Sequence, residues 1–223
     1  MPAGFSEKYT TGTQANAYNN GNPLPNTYSS AMNSGQTTTQ VVNIDTIAST
    51  SKWNNSAVNM GSTSSSTDRS LGVSPTTTEF NVLQFDLTNN TGVTLSGATA
   101  LTVSYTLKVW KNGGWQSPNW NYNDELKGYT FYYSTNGTNF TKVAGLSNAG
   151  GSTGDYAVGP VTLSAVSLAN GATINFWWAD DNADVASPDQ PISIDNLVIT
   201  PEPATLSLLA LGALVALRRR SRK

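Results

Sequence analysis

"LTVSYTLKVW", from Leu101 to Trp110, alternates without a break as far as Val109. Leu101, Val103, Tyr105, Leu107 and Val109 are apolar, and Thr102, Ser104, Thr106 and Lys108 between them are polar. A period of two puts the first set on one face of a β-strand and the second on the other, so this stretch calls for a sheet with one buried face. Similar stretches stand on both sides of it. "TQVVNID" (Thr39–Asp45), "EFNVLQFDL" (Glu79–Leu87), "YTFYYS" (Tyr129–Ser134), "NFTKV" (Asn139–Val143), "VTLSAVSL" (Val161–Leu168), "TINFWWA" (Thr173–Ala179) and "ISIDNLVIT" (Ile192–Thr200) all read as strands. In Glu79–Leu87 the expected inward set is Phe80 and Val82, then Phe85 and Leu87 after a break in phase near Leu83. Asn136-Gly137 and Asn170-Gly171 are expected to be hairpin turns. With no convincing helix before residue 200, the pattern predicts an all-β fold, an antiparallel two-sheet sandwich whose main stabilising term is the burial shared by its inner faces.

Composition bounds the chemistry. The 223 residues suit one sandwich-sized domain, and only 12% of them are charged. Five of the 12 basic residues and one of the 14 acidic residues lie beyond residue 200, so the body sets seven cations against 13 carboxylates. That balance has the wrong sign for a nucleic-acid groove. There is no Cys, hence no disulfide or thiolate chemistry, and no His, which removes Ser-His-Asp catalysis and His-ligated zinc. Any metal would be a hard cation held by oxygens.

The end of the chain has a different character. "TPEPATLSLLALGALVALRRRSRK" (Thr200–Lys223) joins Pro201-Glu202-Pro203 to an apolar run, Ala204–Leu217, and then to Arg218, Arg219, Arg220, Arg222 and Lys223. As a helix the run would be about 21 Å long, against a bilayer core of about 30 Å. It is short for a permanent span, although the arginines can snorkel. The basic cluster stays cytoplasmic, which orients the body outward. These three parts in this order resemble the PEP-CTERM sorting signal of Gram-negative bacteria. The resemblance implies export by the secretion machinery, transient inner-membrane anchoring through the tail, processing by an exosortase, and delivery to the cell surface or extracellular matrix. It is an address rather than a function. An exported chain needs an N-terminal signal, and "MPAGFSEKYTTGTQ" has neither a basic start nor an apolar stretch, so a truncated start is expected.

The expected organisation is a polar extended segment over 1–38, a sandwich over 39–200 and a sorting tail over 201–223 that ends in a short hydrophobic helix. A second resemblance covers roughly 65–200. "TDRSLG" (Thr67–Gly72), "NNTG" (Asn89–Gly92), "TVSYTLKVWKNGG" (Thr102–Gly114), "YYSTNGTNFT" (Tyr132–Thr141), "LANGATINFWWADDNA" (Leu168–Ala183) and "DQPISIDNLVIT" (Asp189–Thr200) follow in order. Together they resemble a jelly-roll-type sandwich module of exported bacterial proteins, which implies the fold but little about activity.

Two clusters could carry chemistry. In "ADDNADVASPDQPISID", Asp180, Asn182 and Asp184 have the one-three-five spacing that turns oxygens onto a Ca²⁺ ion, with Asp189 nearby. The plain alternative is a solvated loop, with Asp195 capping a turn and Asp68 or Arg69 pairing across the sandwich. The second cluster is aromatic: Trp110, Trp115, Trp120 and Tyr122, interleaved with Asn and Gly. Indole faces beside amides and carboxylates suit stacking against sugar rings, whereas the alternative has these rings closing the end of the sandwich. Trp177 and Trp178 must point to opposite faces of one strand, one into the core and the other exposed or loop-covered. The reading that follows is a non-catalytic surface or matrix protein, structural or adhesive, with extracellular polysaccharide as the expected partner. The alternatives are a carboxylate-based polysaccharide hydrolase, with Asp124-Glu125 supplying one acid, and an accessory domain of a larger exported enzyme.

Overall fold

The alternation at Leu101–Trp110 becomes a nine-residue strand inside a two-sheet sandwich. The structure is a computed structural model and describes residues 3–11, 33–34, 36–43, 56–61, 67–73, 79–97, 100–110, 129–148, 152–181 and 192–201. In chain order the strands are β1 (Phe5–Thr11), β2 (Asn33–Ser34), β3 (Gln36–Asn43), β4 (Ser56–Gly61), β5 (Ser70–Val73) and β6 (Glu79–Thr88). They continue with β7 (Leu101–Val109), β8 (Thr130–Ser134), β9 (Thr141–Lys142), β10 (Gly154–Thr162), β11 (Thr173–Asp181) and β12 (Ile192–Pro201). One sheet runs β2-β1-β6-β11-β8-β9 and the other β10-β7-β12-β5-β4-β3. The described pairings are antiparallel except β3 with β4.

The inner faces follow the period of two. Leu101, Val103, Tyr105, Leu107 and Val109 from β7 all enter the core, as the alternation requires. Facing them are Leu83, Phe131, Ile174, Phe176 and Trp178 from the first sheet. The Trp178 indole stands edge-on to Tyr105 at 5.8 Å and to Phe131 at 5.2 Å between ring centroids. Burying a large apolar side chain of this kind stabilises the fold by about 1.5–3 kcal/mol. Trp177 points the other way and is also buried. Phe140, from the β8–β9 connection, stacks on it at 3.6 Å, and its Nε1 donates to Gln84 Oε1 at 2.7 Å. One tryptophan is core and its neighbour is loop-covered, as their adjacency implied.

β12 shows how a strand can change phase and still bury both halves. Ile192 and Ile194 point inward, and so do Leu197 and Ile199, because the pairing with β7 slips between Asp195 and Val198. Asn196 absorbs the slip with φ of 50°. Asparagine is among the few residues that take this left-handed conformation readily.

Several strands depart from the pattern reading. β6 keeps one phase throughout: Leu83, Phe85 and Leu87 face the core and Val82 faces away, so there is no break near Leu83. The strand expected at Val161–Leu168 lies earlier, at Gly154–Thr162. Leu163, Val166 and Leu168 are buried from an irregular segment instead. Asn136-Gly137 does form a hairpin turn between β8 and β9, with Asn136 Oδ1 accepting from the Thr138 and Asn139 amides. Asn170-Gly171 does not. It leads from β10 in one sheet to β11 in the other. Phe5–Thr11, within the segment read as polar and extended, pairs along its whole length with β6, and Phe5 packs on Phe85 at 4.7 Å. The expected C-terminal helix lies outside the described residues.

Candidate functional site

Strand registers gather several loop-bearing ends at one end of the sandwich. Ile192 pairs with both Val109 and Val73, Ala179 pairs with Thr130, and Asp180 pairs with Asn81. The segments 111–128 and 182–191 are therefore flanked by described residues at the same end: Trp110 and Tyr129 for the first, Asp181 and Ile192 for the second. Pro201 pairs with Leu101, the first residue of β7, so the chain leaves β12 at the opposite end.

Trp110 directly follows β7 and is half-buried on the outer face of the second sheet. Its Nε1 donates to Ser193 Oγ at 2.7 Å, and the Lys108 ammonium lies 5.7 Å from its ring centroid. Lys108 itself is braced by Asp195 at 2.9 Å and Asp68 at 3.2 Å. Burial would lower the Lys108 pKa, but hydrogen bonds and charge from the two aspartates outweigh it and hold the ammonium above the usual lysine range. Asp195 also accepts from the Asn196 amide at 2.7 Å, so it supports both the bulge and the cation. The sequence expectation differs on both counts: Asp195 stands at a bulge inside β12 rather than capping a turn, and Asp68 pairs with Lys108 of the same sheet rather than across the sandwich.

Asp180 is not in a loop. It continues the inward series Ile174, Phe176, Trp178 of β11 and is 2% exposed. Directly opposite stands Asn81, which continues the inward series Leu87, Phe85, Leu83 of β6 and is 0% exposed. Glu7, two residues after Phe5 and opposite Leu83, continues the same series on β1 and is 2% exposed. Three adjacent strands thus place polar groups at the loop-bearing end of one inner face. Tyr129 closes the row from the residue before β8. Its hydroxyl donates to the Ile192 carbonyl at 3.2 Å and accepts from the Val73 amide at 3.0 Å, tying the two sheets together. Burial, and then the charge of Asp180 with smaller contributions from Tyr105 and Glu7, pushes that hydroxyl well above the ordinary tyrosine range. Among the described residues, neither Oδ1 nor Nδ2 of Asn81 has a hydrogen-bond partner.

Glu7 and Asn81 were missed in the sequence. The signal was a polar residue at the next inward position of each strand, visible only once the register aligns them. No group of three or more His, Cys, Asp or Glu able to hold a metal occurs among the described residues. Two carboxylates and an amide do occupy neighbouring inward positions on β1, β6 and β11. Trp115, Trp120, Tyr122, Asn182, Asp184, Asp189, Asp124 and Glu125 lie outside the described residues, as do Glu202, Pro203, Arg218, Arg219, Arg220, Arg222 and Lys223.

Residues 200–223 match the family model described as the PEP-CTERM protein-sorting motif. The chain carries that sorting signal. It is accordingly an exported protein of the exosortase pathway of Gram-negative bacteria, with the tail as its membrane-anchoring element. No curated protein and no solved structure matches the chain. Among the described residues no helix is long and apolar enough to cross a membrane.

Proposed function

We propose that the protein is a non-catalytic component of the cell surface or extracellular matrix, and that it binds extracellular polysaccharide at the loop-bearing end of its sandwich. One observation carries the reading. The segment 111–128, which holds Trp115, Trp120, Tyr122, Asp124 and Glu125, and the segment 182–191, which holds Asp184 and Asp189, attach at the same end, and the tail departs from the other. A ten-residue strand separates the two ends, about 33 Å at the usual rise. While the tail is anchored, the end to which the segment with Trp115, Trp120 and Tyr122 attaches would be directed away from the bilayer. Sugar rings would stack on these indole and phenol faces, with neighbouring asparagines and aspartates taking the hydroxyls.

The test is retention of the exported chain on polysaccharide from its own matrix. Trp115→Ala with Trp120→Ala should weaken retention by about tenfold or more, on the scale of about 1–3 kcal/mol for each lost stacking contact. Equal retention of variant and parent would contradict the proposal. Reducing sugar released from the same polysaccharide by the parent, and abolished by Glu125→Gln, would instead favour a hydrolase.

A further inference from the structure

The row at the loop-bearing end of the first sheet's inner face is built of oxygen donors. Asn81 and Asp180 sit opposite one another across the β6–β11 pair, and Glu7 lies diagonal to Asn81 across the β1–β6 pair. Paired residues share a face, and opposite and diagonal neighbours lie within about 5–8 Å of each other. The register puts all three within one inward step of each other along the same face. The Asn81 amide is the second, independent observation: fully buried, on the same face, and with neither polar atom hydrogen-bonded among the described residues. Leaving such a group unsatisfied costs about 1–3 kcal/mol, so an unpaired buried amide calls for a partner such as a bound ion or water.

We infer that Glu7, Asn81 and Asp180 hold a divalent cation, calcium rather than a softer metal, between the sheets. All the donors are oxygens, and there is no Cys or His in the chain to attract zinc or copper. A carboxylate that binds through both oxygens, a second carboxylate and an amide oxygen supply up to five of the six to eight ligands calcium takes, and water supplies the rest. A water in that shell can also accept from Asn81 Nδ2. The cation would link β1, β6 and β11 where the Tyr129 hydroxyl already bridges the sheets, locking the N-terminal strand into the core. This inference is independent of polysaccharide binding, and its readout contains no glycan.

The test uses the full exported chain stripped with EDTA. Calcium at a hundredfold excess over its Kd should raise Tm by about 5–10 °C. Terbium, added as a calcium probe, should give emission sensitised by the neighbouring Trp178, and calcium should compete it away. Glu7→Gln and Asn81→Leu should each weaken terbium binding by about tenfold or more, with circular dichroism confirming that the variants remain folded. The absence of both a calcium-dependent Tm shift and a terbium signal in the parent would overturn the inference. So would loss of binding in Asp184→Asn/Asp189→Asn with full binding kept in Glu7→Gln, because the cation would then belong to the 182–191 segment.

Discussion

At the scale of single residues, the sandwich depends on a few side chains that serve both packing and polar pairing. Trp178 meets Phe5, Tyr105 and Phe131 from three strands. Trp178→Ala should therefore destabilise the fold by about 3–5 kcal/mol, measurable by chemical denaturation. The two aspartates on Lys108 are not equivalent, since the Asp195 side chain is 20% exposed and that of Asp68 is 78% exposed. Asp195→Asn should cost about 1–2 kcal/mol, as expected for a charge-assisted bond that is only partly screened. Asp68→Asn should cost less than about 1 kcal/mol. The pH dependence has a definite sign. Because folding raises the Lys108 pKa, its contribution is complete below the unfolded lysine value and fades as pH climbs through the higher folded value. Stability should thus fall more steeply above about pH 10.4 in the parent than in Lys108→Met, as followed by thermal melts across that range.

At the scale of elements, close approach between strands sets limits that composition does not reveal. Gly72 on β5 faces β12 so tightly that an added Cβ would overlap the Ile192 carbonyl oxygen and lie 2.7 Å from Ser193 Cβ. Gly72→Ala should force the pair apart at a cost of about 1–3 kcal/mol. Amide exchange should accelerate in β5 and β12 and stay unchanged in β8. The sequence made visible those strands whose alternation is strict and local: β7, most of β11 and the first half of β12. It concealed those that depend on a partner. β1 carries only Phe5 as a large apolar inward residue before Glu7, so it reads as polar until its pairing with β6 is known. β10 exposes most of its side chains along its length, which hides it from a search for apolar periodicity. Asp180 reads in the sequence as part of an acidic loop, and its place in the core appears only through its pairing with Asn81, far away in the chain. Trp110 was read with the aromatic cluster, yet its Nε1 is bound to Ser193 and its ring accompanies Lys108.

At the scale of the whole molecule, the fold has two unlike ends. One gathers the strand termini that flank 111–128 and 182–191, and the other releases the chain at Pro201 toward the sorting signal. A sandwich of this form bonds its backbone groups between strands and buries its apolar faces between sheets, and with no Cys in the chain these terms hold it without disulfides. The tail was legible because its signal is contiguous: Pro201-Glu202-Pro203, an apolar run and five cations need no tertiary structure to be read. The central claim is export with processing of that tail, and intact-mass analysis of the protein from fractionated native cells tests it most directly. In cells with their exosortase, the surface and extracellular fractions should contain a product cut near Pro201-Glu202-Pro203, and cells lacking the exosortase should hold the uncut chain at the inner membrane. A full-length product retaining Arg218–Lys223 and residing in the cytosol of both strains would contradict the account.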